Sequence, residues 1–256
     1  MTLDRVAPTR RVLTVEIVIV LLLSLGASAI YAVVSLIAKL TAGKPLSAQS
    51  AVLNASRSPR PYLDLTYQLL EISFALVPVA LVLYLLMRDQ IPVRQTLGLT
   101  ADRKSFDAGW GTLLAAGIGI PGLLLVYVAK VLGLNAQIVP AALQDVWWAI
   151  PVLVLSAMQN AVLEEVIVVG YLITRLREMS LQPVWIVAAS ALLRGSYHLY
   201  QGFGAFVGNA VMGVVFALFY LRFKRVMPLI VAHSILDIAA FVGYTLLPAS
   251  LLAWLN

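Results

Sequence analysis

The chain has no cysteine, which removes disulfides, thiolate metal sites and a cysteine nucleophile from consideration. It has only two histidines, His198 and His233. Charge is scarce too. Only 12% of the 256 residues are Asp, Glu, Lys or Arg, against about 25% in a soluble domain. No internal repeat, heptad array or low-complexity tract is present, so solenoids and coiled coils are excluded. What fills the space is apolar. The hydrophobic share is 61% and the mean hydropathy is +0.94. Such a chain is an integral membrane protein, read here as one domain over residues 1–256. The net charge of +6 then reports topology rather than nucleic-acid binding, and no nucleic-acid partner is expected.

A spanning helix needs about 20 mainly apolar residues. Runs of that kind lie at roughly 13–40, 62–87, 108–133, 147–174, 184–201, 204–222 and 227–247. The expected fold is therefore all-α, a polytopic helix bundle of about seven spans, or eight if the terminal "PASLLAWLN" adds one. The stretch "RRVLTVEIVIVLLLSLGASAI" resembles a signal peptide, but its apolar run continues to about Leu40 and reads as an uncleaved first span. Pro61, Pro183 and Pro228 stand near helix starts, where a missing N–H costs little.

The basic residues sort by side. Arg5, Arg10, Arg11, Arg88, Arg94, Arg103, Lys104, Arg175, Arg177, Arg222, Lys224 and Arg225 fall on one side of a seven-span chain. Lys39, Lys44, Arg57 and Arg60 fall on the other, with Lys130 snorkelling toward it. That bias puts the N-terminus in the cytoplasm. Residues 88–107 read as a cytoplasmic interfacial segment and 41–60 as a polar outer loop.

Inside the spans stand a few ionisable groups, and six of them share three short motifs. "LEEVIVVGYL" carries Glu164 and Glu165, "LLRGSYHLY" carries Arg194 and His198, and "VAHSILDIA" carries His233 and Asp237; Glu71 completes the set. Arg194 and His198 are four residues apart, as are His233 and Asp237, so each pair shares a helix face. Adjacent Glu164 and Glu165 point about 100° apart on an α-helix. One can face a cavity while the other turns to a neighbouring helix. At about 1.5 Å per residue the three motifs reach similar depths and can meet in one intramembrane cavity. A single buried polar group often does no more than hydrogen-bond another helix. Two acids at one depth repel unless one is neutral or paired, and such a cluster suits a reaction or a proton path.

This pattern resembles the CPBP family of intramembrane proteases, which includes CAAX prenyl endopeptidases. The family's motifs are Glu-Glu-x-x-x-Arg, Phe-x-x-x-His and His-x-x-x-Asn or Asp on successive core helices. "EEVIVVGYL" matches the paired acids and Gly170, "RGSYH" matches through His198, and "HSILD" matches fully. The similarity covers about residues 145–245, the expected catalytic core. Two positions depart from it. Val169 stands where the first motif has arginine, and Arg194 where the second has phenylalanine. One charge is lost and one gained, so Arg194 is expected to reach Glu165 from the next helix.

The resemblance implies peptide-bond hydrolysis within the membrane, on a membrane-embedded or lipidated protein substrate. A bacterial plasma membrane is the expected location. In the implied roles Glu164 activates water, His198 helps bind and orient it, and His233 with Asp237 stabilises the oxyanion. Asp237, as a carboxylate, cannot donate and is expected to hold the His233 ring instead. Glu165 is electrostatic, balanced by Arg194. No cofactor is expected: the chain has no His-Glu-x-x-His pair, and its acids are adjacent rather than on one helical stripe. The alternative is zinc, with Glu164, His198 and His233 as ligands. Two other function classes remain open at this point. One is an inactive relative that binds a peptide or chaperones a membrane protein, which the missing arginine at Val169 favours. The other is a proton-coupled carrier, against which stands the lack of repeat symmetry.

Overall fold

A computed structural model describes residues 8–246. Arg5 and the terminal "PASLLAWLN" lie outside the described residues. The chain folds as helices α1 (Arg10–Leu22), α2 (Leu25–Leu40), α3 (Pro61–Ala75), α4 (Val77–Arg88), the single turn α5 (Val93–Thr96), α6 (Lys104–Val131) and α7 (Ala149–Glu164). A π-helical stretch, Glu165–Tyr171, runs directly into α8 (Leu172–Glu178). Then come α9 (Pro183–Ser196), α10 (Phe203–Phe223) and α11 (Met227–Leu246). The one sheet among the described residues is a parallel pair, β1 (Ser50–Val52) with β2 (Gln137–Val139). It ties the 41–60 loop to the loop before α7.

The all-α bundle stands, and among the described residues five or six helical stretches meet the length and apolarity of a membrane span. Five helical stretches are individually long and apolar enough to cross a membrane: 61–88, 93–131, 149–178, 203–223 and 227–246. The pair α1 and α2 makes a sixth, bent by 57° at Leu23–Ser24, where the Ser24 hydroxyl donates back to the Val20 carbonyl at 2.7 Å. The expected span 184–201 is a helix of 14 residues that stops at Ser196. Its apolar run continues, but Leu199–Gln201 forms a tight 3-10 turn, and Gly202 follows at φ 126°. A Cβ there would lie 2.5 Å from the Leu134 carbonyl oxygen, so the chain can turn back only through glycine. The Asn135 side chain then caps α10, accepting from the backbone N–H groups of Gly204 and Ala205 at 2.9 and 3.2 Å.

Small residues bring the helices that matter close together. Along α6, a Cβ on Gly111 would fall 2.5 Å from a Val231 methyl, and one on Gly119 would fall 2.9 Å from Leu236. Both neighbours are on α11, so α11 is drawn against α6. On α10, a Cβ on Gly213 would lie 2.8 Å from the Ala191 Cα of α9. That contact sets how near Arg194 comes to the rest of the core. The π-helical stretch is sealed at the centre, with every residue from Val166 to Tyr171 buried.

The loops gather on two opposite faces. One holds 41–60, the segment before α7 and the turn after α9, joined by the parallel strands and by Lys39, whose ammonium donates to the Ser50 and Tyr200 carbonyls. The other holds 88–103, the α8–α9 turn and residues 224–226. There Val226 N–H donates to the Leu97 carbonyl at 2.8 Å. Arg225 grips Asp107 at 2.6–2.7 Å. Segment 88–107 is anchored rather than merely lying on this face, since Leu97 is fully buried. Arg175, counted above among the basic residues of one side, is also fully buried. It pairs with Glu16 at 2.8 Å, Asp89 at 2.7 Å and Glu178 at 2.9 Å, because two acids from other segments and one from its own helix converge on it and replace its water.

Candidate active site

Glu164 ends α7, and Glu165 begins the π-helical stretch. At its far end the Leu172 N–H donates to the Ile167 carbonyl, five residues back rather than four. The two acids themselves keep α-helical backbone angles, and both reach the guanidinium of Arg194 on α9. Arg194 Nη2 lies 2.6 Å from Glu165 Oε1, and Nη1 lies 3.2 Å from Glu164 Oε2. Arg194 and Glu165 are fully buried, and Glu164 is 8% exposed. One cation between two carboxylates relieves the repulsion that adjacent acids would otherwise suffer in an apolar medium. The face of Phe216, 5.3 Å from the guanidinium carbon, adds a cation–π contact.

The remaining contacts extend outward from this triad. Tyr197 donates its hydroxyl to Glu164 Oε2 at 2.6 Å. On α11, His233 Nδ1 lies 2.7 Å from Glu165 Oε1. Its Nε2 lies 3.6 Å from Asp237 Oδ1 and 4.0 Å from Glu164 Oε2. The His233 ring is thus held chiefly by Glu165, whereas Asp237 was expected to hold it. Glu165 Oε1 reaches across to α11, and Asp237 is itself engaged by the Asn160 amide. His198 lies beyond the end of α9, in the turn that follows, with Nδ1 3.0 Å from the Arg194 carbonyl. A carbonyl only accepts, so Nδ1 carries the proton and Nε2 of the neutral ring carries a lone pair. The Tyr197 and His198 rings are in contact, tilted at 42° with their centroids 4.8 Å apart.

The structure therefore brings Glu164, Glu165, Arg194, His233 and Asp237 into one connected cluster, with His198 attached through the Arg194 backbone. Glu71 is elsewhere, paired with Arg57 at 2.6 Å on the loop face. Tyr197 and Asn160 are polar members that a search for ionisable residues passes over. The signal for Tyr197 was its spacing, three residues after Arg194 on the same face. Two buried atoms, Glu165 Oε2 and Arg194 Nε, have no hydrogen-bond partner among the described residues.

Glu164 meets its protein partners through Oε2 in every contact above. Its Oε1 is left as the open oxygen of a carboxylate that is not sealed. A metal ion would compete for occupied donors. Glu164, Glu165 and His233 offer ligand atoms within 4.8 Å of one another, but the Arg194 guanidinium already occupies the cationic position between the two carboxylates. His233 spends Nδ1 on Glu165. The donor set as it stands fits an argininium better than a zinc ion.

Residues 146–239 match the family model described as Rce1-like, type II CAAX prenyl endopeptidase Rce1-like. All the cluster residues lie inside that range. No curated protein and no solved structure matches the chain.

Proposed function

We propose, taking residues 146–239 as an Rce1-like domain of the CPBP and CAAX protease family, that the cluster hydrolyses a peptide bond at membrane depth. The observation that carries this is the division of Glu164. One oxygen is fixed by Arg194 and Tyr197, and the other is free to take a proton. In this reading Glu164 Oε1 removes a proton from a water held by the lone pair on His198 Nε2. The oxygen of that water bonds to the scissile carbonyl carbon, and the carbonyl oxygen becomes an oxyanion. His233 donates to that oxyanion from Nε2. Because Nδ1 donates to Glu165, the ring must carry both protons to do so. The C–N bond then breaks, and the proton held by Glu164 passes to the departing nitrogen.

The chemistry is proposed to be metal-free, with Arg194 supplying the positive charge of the site. The substrate class is a membrane-associated or lipidated protein, in keeping with a cluster enclosed by apolar helices. In the membrane the face carrying residues 88–103 and 224–226 is assigned to the cytoplasm, since it holds most of the basic residues. Comparative membrane proteomics of cells carrying wild type or Glu164→Gln tests the function. Uncut peptides of one or a few membrane proteins should accumulate with the variant. Identical peptide sets would remove hydrolysis and leave a binding or chaperone role.

A further inference from the structure

On the basic face, between the ends of α8 and α10, lies a cavity of about 310 Å³ lined by Thr96, Thr174, Arg177, Glu178, Tyr220 and Lys224. It is remote from the acid cluster and has no part in the chemistry proposed above. Its charges are unbalanced. Arg177 and Lys224 stand against one acid on its wall, Glu178, which accepts from buried Arg175 at 2.9 Å. Burial, and behind it the nearby charge of Arg177, hold the Lys224 ammonium below the usual lysine range. Two like charges gathered at one cavity repel, and an anion between them relieves that repulsion.

The backbone adds an independent observation. Lys224 is the residue after α10 and adopts a left-handed conformation at φ 54°, its N–H closing the helix on the Tyr220 carbonyl at 2.8 Å. That is the position where glycine is favoured, because any side chain costs steric energy there. The closure needs only the backbone, so the lysine side chain serves something other than the turn. It reaches back over the Tyr220 ring, with Nζ 5.8 Å from the centroid, toward the cavity that Tyr220 lines.

We infer that this cavity binds the phosphate of an anionic phospholipid from the adjoining leaflet, held by Arg177 and Lys224 with the Thr96 hydroxyl beside them. A phosphate group with part of its glycerol fits the volume. Helices α8 and α10 end at this cavity, and α10 is long and apolar enough to span, so their ends stand where headgroups lie. Basic pockets between spanning helices on the positively charged side suit such lipids.

The test uses the full chain purified in a neutral detergent. Its thermal unfolding midpoint is followed against added phosphatidylglycerol, phosphatidylcholine or inorganic phosphate. Phosphatidylglycerol should raise the midpoint and phosphatidylcholine should not. Inorganic phosphate should act only at far higher concentration. Lys224→Gly should unfold no earlier than wild type without lipid, yet bind phosphatidylglycerol about fivefold more weakly or worse. Arg177→Gln should weaken it similarly. The proposal fails if Lys224→Gly keeps the full response, or if wild type responds to neither anion. It also fails if inorganic phosphate matches phosphatidylglycerol at equal concentration, because the occupant would then be a soluble phosphate.

Discussion

Arg194 and Glu165 are 29 residues apart in sequence, stand on different helices, and meet at 2.6 Å with both side chains fully buried. This pair answers the question raised by Val169, which occupies the place of the expected arginine. The positive charge of the site comes from α9. Arg194→Phe restores the family's usual residue at that position but strands two acids in an apolar core. It should lower stability by about 3–5 kcal/mol. Val169→Arg alone adds a second cation to a sealed stretch and should also be harmful. Combined, they return one cation to the neighbourhood of Glu165. The double variant should be more stable than the sum of the two losses predicts. Thermal unfolding of the four purified proteins measures this; strict additivity would mean that the two positions are uncoupled.

Glu164 and Glu165 are neighbours in sequence, yet replacing them should have opposite signatures. Glu164→Gln keeps the shape and leaves Glu165 to balance Arg194. Its stability should change little while hydrolysis falls by about 10²–10⁴-fold. Glu165→Gln removes the carboxylate that pairs with both Arg194 and His233. It should cost several kcal/mol, on the order of other broken buried pairs. Measuring unfolding and turnover on the same preparations separates the two roles. Equal stability losses would show that the acids share one structural task.

Much of this architecture was legible in the sequence, for reasons particular residues make plain. Long apolar runs dictate helices in lipid, because the backbone has no other way to satisfy its polar groups. The three polar motifs stood out because charge is so scarce around them. What could not be read depends on contacts from far along the chain. The run 184–201 looks like a span until Gly202 and Asn135, from either side of it, force a turn. Arg175 looked like one more basic residue of the cytoplasmic side, since its partners Glu16 and Asp89 lie 159 and 86 residues away. The π-helical turn has no clear local signature in Glu165–Tyr171, and the meeting of the two acids depends on Arg194, which lies 30 and 29 residues further on.

Chelation tests the proposed absence of a metal. With Arg194 between the carboxylates, exhaustive treatment with a chelator should leave turnover unchanged, and added zinc should not raise it. Loss of turnover restored by one equivalent of zinc would make Glu164, His198 and His233 the ligands to mutate first. The same titration on Arg194→Ala is informative. With the guanidinium gone, Glu164, Glu165 and His233 are freed, and zinc should stabilise that variant more than wild type against heat.

The buried clamp around Arg175 predicts a response to acid. Asp89 lies just past the end of α4, outside the span. Burial pushes its carboxyl up, but hydrogen bonds from Arg175 and Arg88, with their charges, outweigh this and hold it below the ordinary carboxylate value. A carboxyl whose value is lower folded than unfolded stabilises the fold fully above the unfolded value, about 3.9 for aspartate. That contribution is lost as the pH falls through the lower, folded value. Stability referred to Asp89→Asn isolates it, because other acids titrate in both proteins. Wild type should exceed the variant by a constant margin from neutral pH to about pH 5. The margin should then shrink below about pH 4 as Asp89 becomes protonated. Unfolding midpoints of both proteins across that range decide the matter. A margin that is already absent at neutral pH would mean that Glu16 and Glu178 alone satisfy Arg175.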